Sequence, residues 1–216
     1  LNGNKAQSCI KHLLIDEMQD YSPIHQKLYP CRKTILGDAS QSINPYGSST
    51  ADMIQRTFTT GKIMKLCKSY RSTFEITDFA QKIQPNNELE PVIRHGEQPR
   101  ILQYPSVEKE VLGIYDLISS FKNSDNTSLG IICKTESQAR ELAKKLRTYT
   151  DGISLLSNQS SAYAKGIVIT SAHMAKGLEF DEVIIPQIDE NNYHSSIDRS
   201  MLYVAMTRTM HKLTLT

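Results

Sequence analysis

The run His12-Leu-Leu-Ile-Asp-Glu-Met-Gln-Asp20 is an apolar strand that ends in adjacent carboxylates. In a parallel sheet, ligands collect at the carboxyl ends of the strands, so Asp16 and Glu17 emerge where a nucleotide phosphate would sit. A carboxylate at a strand tip suits magnesium, usually through the ion's water shell, and its neighbour can orient or deprotonate an attacking water. An isolated Asp-Glu after a strand is ordinary turn chemistry; the added Gln19 and Asp20 make more of it.

Four further segments carry residues of the same kind. Thr34-Ile-Leu-Gly-Asp-Ala-Ser-Gln-Ser42 runs from a strand into a polar turn with a glycine that allows close backbone approach. Gln41 there can both donate and accept, which suits sensing a terminal phosphate or the water attacking it. In Ser69-Tyr-Arg-Ser-Thr73, Arg71 has the fork of an arginine finger, and Tyr70 offers a face to a base. Taken singly, Arg71 reads as a surface or cap-linked arginine and Tyr70 as a core-edge aromatic. In the run Ile169–Asp181, Gly177 permits a turn, and Glu179 can accept from a ribose hydroxyl or a backbone donor. His173 has no Cys or second His at ligand spacing, so it reads as a polar contact to nucleic acid and not as a metal ligand. Met201-Leu-Tyr-Val-Ala-Met-Thr-Arg-Thr209 is an apolar helix ending in Arg208, aimed at something anionic or paired internally.

The elements that must position these residues alternate between short apolar runs and stretches of helical period, the pattern of a mostly parallel sheet with helices on both faces. Strands are expected at His12–Ile15, Thr34–Leu36, Lys62–Leu66, Arg100–Tyr104, Leu129–Cys133, Ile167–Thr170, Glu182–Ile185 and Lys212–Leu215. Ser72 with Glu75 has capping-box spacing ahead of a helix with Ile76, Phe79, Ala80 and Ile83 on one face. Val107, Val111, Ile114, Ile118 and Phe121 mark a second helix. Thr135 with Gln138 caps a third, which buries Ala139, Leu142, Ala143 and Leu146 and keeps Arg140, Lys144, Lys145 and Arg147 as a solvated face. The polar stretch Asn44–Gly61 suggests a boundary, and Gln84–Pro99 a surface loop.

Composition sets the outer limits. Apolar residues make up 39% and charged residues 22%, as in ordinary globular domains, and no run approaches the about 18 apolar residues of a membrane span. No signal peptide is expected. Cys9, Cys31, Cys67 and Cys133 lack close pairing and read as reduced, mostly buried cytoplasmic thiols. A net charge of +2 means that any nucleic-acid site must be a local patch.

In this order, the five segments resemble motifs two through six of superfamily one helicases of the UvrD/Rep/PcrA type: D-E-x-Q-D, G-D-x-x-Q-S-I, x-Y-R-S-T, K-G-L-E-F-D and L-Y-V-A-x-T-R. Each motif is weak alone; their ordered joint occurrence is specific. The resemblance implies P-loop-type, RecA-like α/β domains with ATP in the cleft between them. Residues 1–60 would be the C-terminal remnant of the first motor domain and 61–216 the second. By position, it makes Asp16 the magnesium-side carboxylate, Glu17 the residue activating water, and Gln41 the γ-phosphate sensor. Arg71 and Arg208 would reach that phosphate, Tyr70 would stack on adenine, and Gly177 with Glu179 would bind near the ribose and triphosphate. Single-stranded DNA is the implied partner, with His173 toward its channel.

Two departures qualify this. The phosphate loop G-x-x-x-x-G-K-[S/T] is missing from the sequence, so the chain is expected not to hydrolyse ATP alone and to need an upstream part of its polypeptide carrying that loop. The span from Arg71 to Gly177 also leaves no space for the large insertion of UvrD, Rep and PcrA. Asp20-Tyr-Ser-Pro23 resembles HelD-type motors, which makes an RNA polymerase-recycling ATPase the alternative. A metal-dependent nuclease built on Asp16, Glu17, Asp20 and Asp38 lacks the D…E-x-K spacing, and no DNA cleavage is expected.

Overall fold

Alternation along the strands decides how the helices are placed. The computed structural model describes residues 10–22, 31–44, 55–56, 61–86, 88–91, 93–158, 160 and 166–216. The chain forms two units, Leu1–Leu66 and Cys67–Thr216. Most of the stretch expected to hold a boundary, residues 45–54 and 57–60, lies outside the described residues, as do Cys9 and Pro23.

In the first unit, β1 (His12–Ile15) pairs in parallel with β2 (Arg32–Ile35), in register from His12 with Arg32 to Ile15 with Ile35. Each strand runs into one tight 3-10 turn, Met18–Asp20 after β1 and Ala39–Gln41 after β2. The turns are drawn together because Leu36 N donates to Ile15 O at 2.7 Å and Met18 N to Leu36 O at 2.9 Å.

The second unit runs β3 (Lys68–Ser69), α1 (Phe74–Ile83), β4 (Glu90–Pro91), β5 (Arg100–Ile101), α2 (Val107–Lys122), β6 (Ser128–Cys133), α3 (Glu136–Leu146), β7 (Ile153–Leu155), β8 (Gly166–Ser171), α4 (Ala172–Ala175), β9 (Phe180–Ile185), α5 (Ser196–Met206) and β10 (Thr209–Leu215). Six strands form one sheet in the order β5-β10-β9-β6-β8-β7, every neighbour parallel, and β3 pairs separately with β4. Because successive side chains point to opposite faces, Leu129, Ile131, Ile167, Ile169 and Ile184 pack with α2 and α3. Ile132, Val168, Val183 and Ile185 pack with α1, α4 and α5. Helices cover both faces, as the α/β reading expects. Among the described residues no helix is long and apolar enough to cross a membrane.

Several local expectations are corrected. Lys62–Leu66 is not a strand; it has no ladder neighbour among the described residues, and Leu66 is 90% exposed. The pairing begins just beyond it, at β3. Strand β5 stops at Ile101 instead of Tyr104, and the three-residue edge strand β7 had no expectation. Thr135 and Gln138 form their capping box, but Ser72 and Glu75 do not. Thr73 stands at the N-cap of α1 without a side-chain cap bond, because Ser72 and Glu75 are engaged elsewhere. Of the described cysteines, Cys133 is buried while Cys31 and Cys67 are half-buried.

Candidate ATP-handling residues

The tips of β1 and β2 carry the carboxylates. Asp16 Oδ1 accepts the Glu17 N–H at 2.8 Å, and Glu17 sits at φ 53°, ψ 47°. A non-glycine residue rarely adopts this left-handed conformation, and such strain clusters at functional sites. Gln19, completely buried, donates from Nε2 to Glu17 Oε2 at 2.5 Å and accepts from Asp38 N at Oε1, 3.2 Å away. Asp38 in turn caps the second 3-10 turn through Ser40 N and accepts from Gln41 Nε2 at 2.9 Å. One hydrogen-bonded chain thus links Glu17, Gln19, Asp38 and Gln41. Gly37 makes the approach possible, since a Cβ there would lie 2.4 Å from Met18 Cγ and 2.5 Å from Gln19 Oε1.

The second unit brings Arg71 and Glu179 together, Nε to Oε1 at 2.6 Å, in a pair that stays partly exposed. Gly177 holds φ 80°, so the turn ahead of β9 uses the freedom expected of it. Glu179, read from sequence as a ribose or backbone acceptor, holds the Arg71 guanidinium. Tyr70 is 71% exposed, and His173 is exposed at the start of α4. Arg208 is buried to 1%, its Nε donating to Val204 O at 3.2 Å and its Nη2 to Thr207 Oγ1 at 3.2 Å. Both of these bonds are to the end of its own helix.

Sequence reasoning gave Gln19 no role of its own, although its place two residues after Glu17 was a signal. It also passed over Arg94, which no motif marks, and read Glu75 only as a capping-box partner. Among the described residues no cluster of three or more His, Cys, Asp or Glu could hold a metal. The Asp16–Glu17 carboxylates are hard oxygen donors, and a magnesium ion held there would complete its shell with water and phosphate oxygens.

Comparison with known proteins accords with these observations. Residues 166–216 match the family model of the UvrD-like helicase C-terminal domain. The C-terminal domain of a possible DNA helicase from Lactobacillus plantarum WCFS1 is 32% identical, with a TM-score of 0.59, over 68% of this chain and 86% of that one. The structure of PRRSV helicase is 14% identical with a TM-score of 0.52; the match covers 95% of this chain and 34% of that one, and shows likeness of fold. No curated protein sequence matches.

Proposed function

The chain belongs to the UvrD-like helicase C-terminal domain family, and on that premise we propose that it supplies the water-activating and arginine side of an ATP hydrolysis site coupled to movement on single-stranded DNA. The observation that carries this reading is the hydrogen-bonded chain from Glu17 through Gln19 and Asp38 to Gln41.

In this reading Glu17 takes the proton of the attacking water at its carboxylate, and Gln19 keeps that carboxylate in one direction. Gln41 aligns with the same network through Asp38, so a change at the terminal phosphate is felt at Glu17. Asp16 would hold magnesium through its water shell, and the ion would supply neutralisation of phosphate charge. Arg71, steadied by Glu179, and Arg208, screened from water, are the cationic groups for charge developing on the transferring phosphoryl group. Tyr70 has the exposed ring face for stacking on adenine, and Gly177 lets the Glu179 backbone come close to the nucleotide. The 216 residues contain no phosphate loop, so turnover requires that loop from elsewhere in a larger polypeptide.

The test is an ATPase assay with and without single-stranded DNA, on a polypeptide joining this chain to a phosphate loop. Turnover stimulated by the DNA is expected, lost in Glu17→Gln with ATP binding retained, and abolished in Arg208→Ala. Retained turnover in Arg208→Ala would remove the role assigned to that residue. The polymerase-recycling alternative rests on Asp20-Tyr-Ser-Pro23. Co-purification with RNA polymerase and weak unwinding would favour it.

A further inference from the structure

Arg94 belongs to none of the five motifs, yet it ties the backbone of one to the residue that follows another. Its Nη2 donates to Arg71 O and, at 3.1 Å, to Met210 O. Met210 lies just after Arg208, and the adjacent backbone is tied a second time where Ser72 Oγ donates to Thr209 O at 2.6 Å. Both carbonyls must stay within one hydrogen-bond length of a single nitrogen, so the two segments cannot separate without breaking a charge-assisted bond. The loop carrying Arg94 is itself fastened to the start of α1. Phe74 N donates to Arg94 O at 2.8 Å, and Glu75 accepts from Gly96 N at 2.9 Å and lies 2.7 Å from His95 Nδ1. A Cβ at Gly96 would lie 2.6 Å from Thr73 Cγ2, so a larger residue there would have to displace the Thr73 side chain.

We propose that Arg94 is a positioning residue for ATP hydrolysis, fixing the backbone of Arg71 against that of the segment following Arg208. This rests on the reading that Arg71 and Arg208 act on the phosphate. Arg94 is exposed and bonds only carbonyls, so removing it alters geometry more than folding.

The experiment is steady-state ATP hydrolysis, with single-stranded DNA, by the polypeptide that joins this chain to its phosphate loop. Arg94→Ala is expected to lower kcat about 10- to 100-fold, the scale of a small misplacement of a catalytic group, with KM for ATP within about 3-fold. The thermal midpoint should stay near wild type, and Arg94→Lys should restore most of kcat. Arg71→Ala/Arg94→Ala should be no slower than Arg71→Ala alone, because the two act as a unit. A wild-type kcat in Arg94→Ala, or a loss that Lys does not restore and that follows a drop in thermal midpoint, overturns the proposal. If Arg94→Ala does not fold, Arg94→Lys against Arg94→Gln makes the same comparison. Arg71→Ala with retained turnover overturns the underlying reading together with the clasp; loss in Arg71→Ala but not in Arg94→Ala overturns the clasp alone.

Discussion

Gln19 Nε2 stands 2.5 Å from Glu17 Oε2, while the same buried amide accepts the Asp38 N–H at 3.2 Å. The amide presents a donor to the carboxylate and an acceptor to the backbone N–H at once, which a carboxylate in its place cannot do. In Gln19→Glu the donor becomes a second carboxylate against Glu17, and like charges at this distance raise one of the two pKa values. Turnover should fall by about 10-fold or more, with the acid limb of its pH profile moved upward. An unchanged pH profile would show that Glu17 does not need this amide.

The Arg71–Glu179 pair is short but partly exposed, so it contributes only about 0–1 kcal/mol to folding. Its importance is directional. Glu179→Gln should leave the urea midpoint nearly unchanged while lowering ATP turnover, since Arg71 loses the partner that aims it. A variant losing stability and turnover in proportion would mean that the pair is structural.

How much of this was legible in sequence depends on how local each cause is. β1 and the Thr135–Gln138 box follow from a few adjacent residues, and both form where their spacing places them. The Ser72–Glu75 box has the same spacing and fails, because Ser72 finds Thr209 O and Glu75 finds Gly96 N, 137 and 21 positions away in sequence. Motif spacing likewise marks Arg71 and Glu179 as important but cannot show that they bind each other across 108 positions. Arg94 was invisible for the same reason: its partners are two backbone carbonyls, which leave no trace in residue type.

Two glycines separate backbone strain from steric crowding. At Gly177, φ is 80° and the space around an added Cβ is open, so Gly177→Ala should cost about 1–2 kcal/mol from conformation alone. At Gly130 an added Cβ would lie 2.6 Å from the Phe180 ring, which is fully buried. Gly130→Ala should cost about 1–3 kcal/mol through overpacking, partly relieved by Phe180→Leu. Chemical denaturation of the three variants checks this; no relief in the double variant would place the strain elsewhere.

Burial pushes the Cys133 thiol up to about 12, with Glu110 adding to the shift. Its folded value lies above an unfolded value of about 8.5, so the stabilisation is complete below about 8.5 and is lost as pH rises toward the folded value. At mildly alkaline pH, iodoacetamide should modify Cys31 and Cys67 in the folded chain but reach Cys133 only on unfolding. Mass spectrometry of peptides after timed alkylation reads this directly, and early labelling of Cys133 would refute it.

Lys134, immediately after β6, reaches Asp198 Oδ1 at 2.7 Å and the carbonyl of Asn192, fastening the end of that strand to the start of the helix that leads to Arg208. Burial works to raise the Asp198 carboxyl, but the Lys134 ammonium and the Ser195 amide and hydroxyl outweigh it and hold the group well below the usual carboxylate range. A depressed folded value contributes stability above the unfolded pKa of about 3.9, and that contribution is lost as pH falls through the folded value. Asp198→Asn keeps a side-chain acceptor for the cap but abolishes the titration. The difference in urea midpoint between wild type and Asp198→Asn should therefore be constant from neutral pH to about 5 and shrink below about 4, where the unfolded carboxyl protonates first. A difference that stays constant down to pH 2 would mean that Lys134 stabilises the fold without its charge meeting that of Asp198.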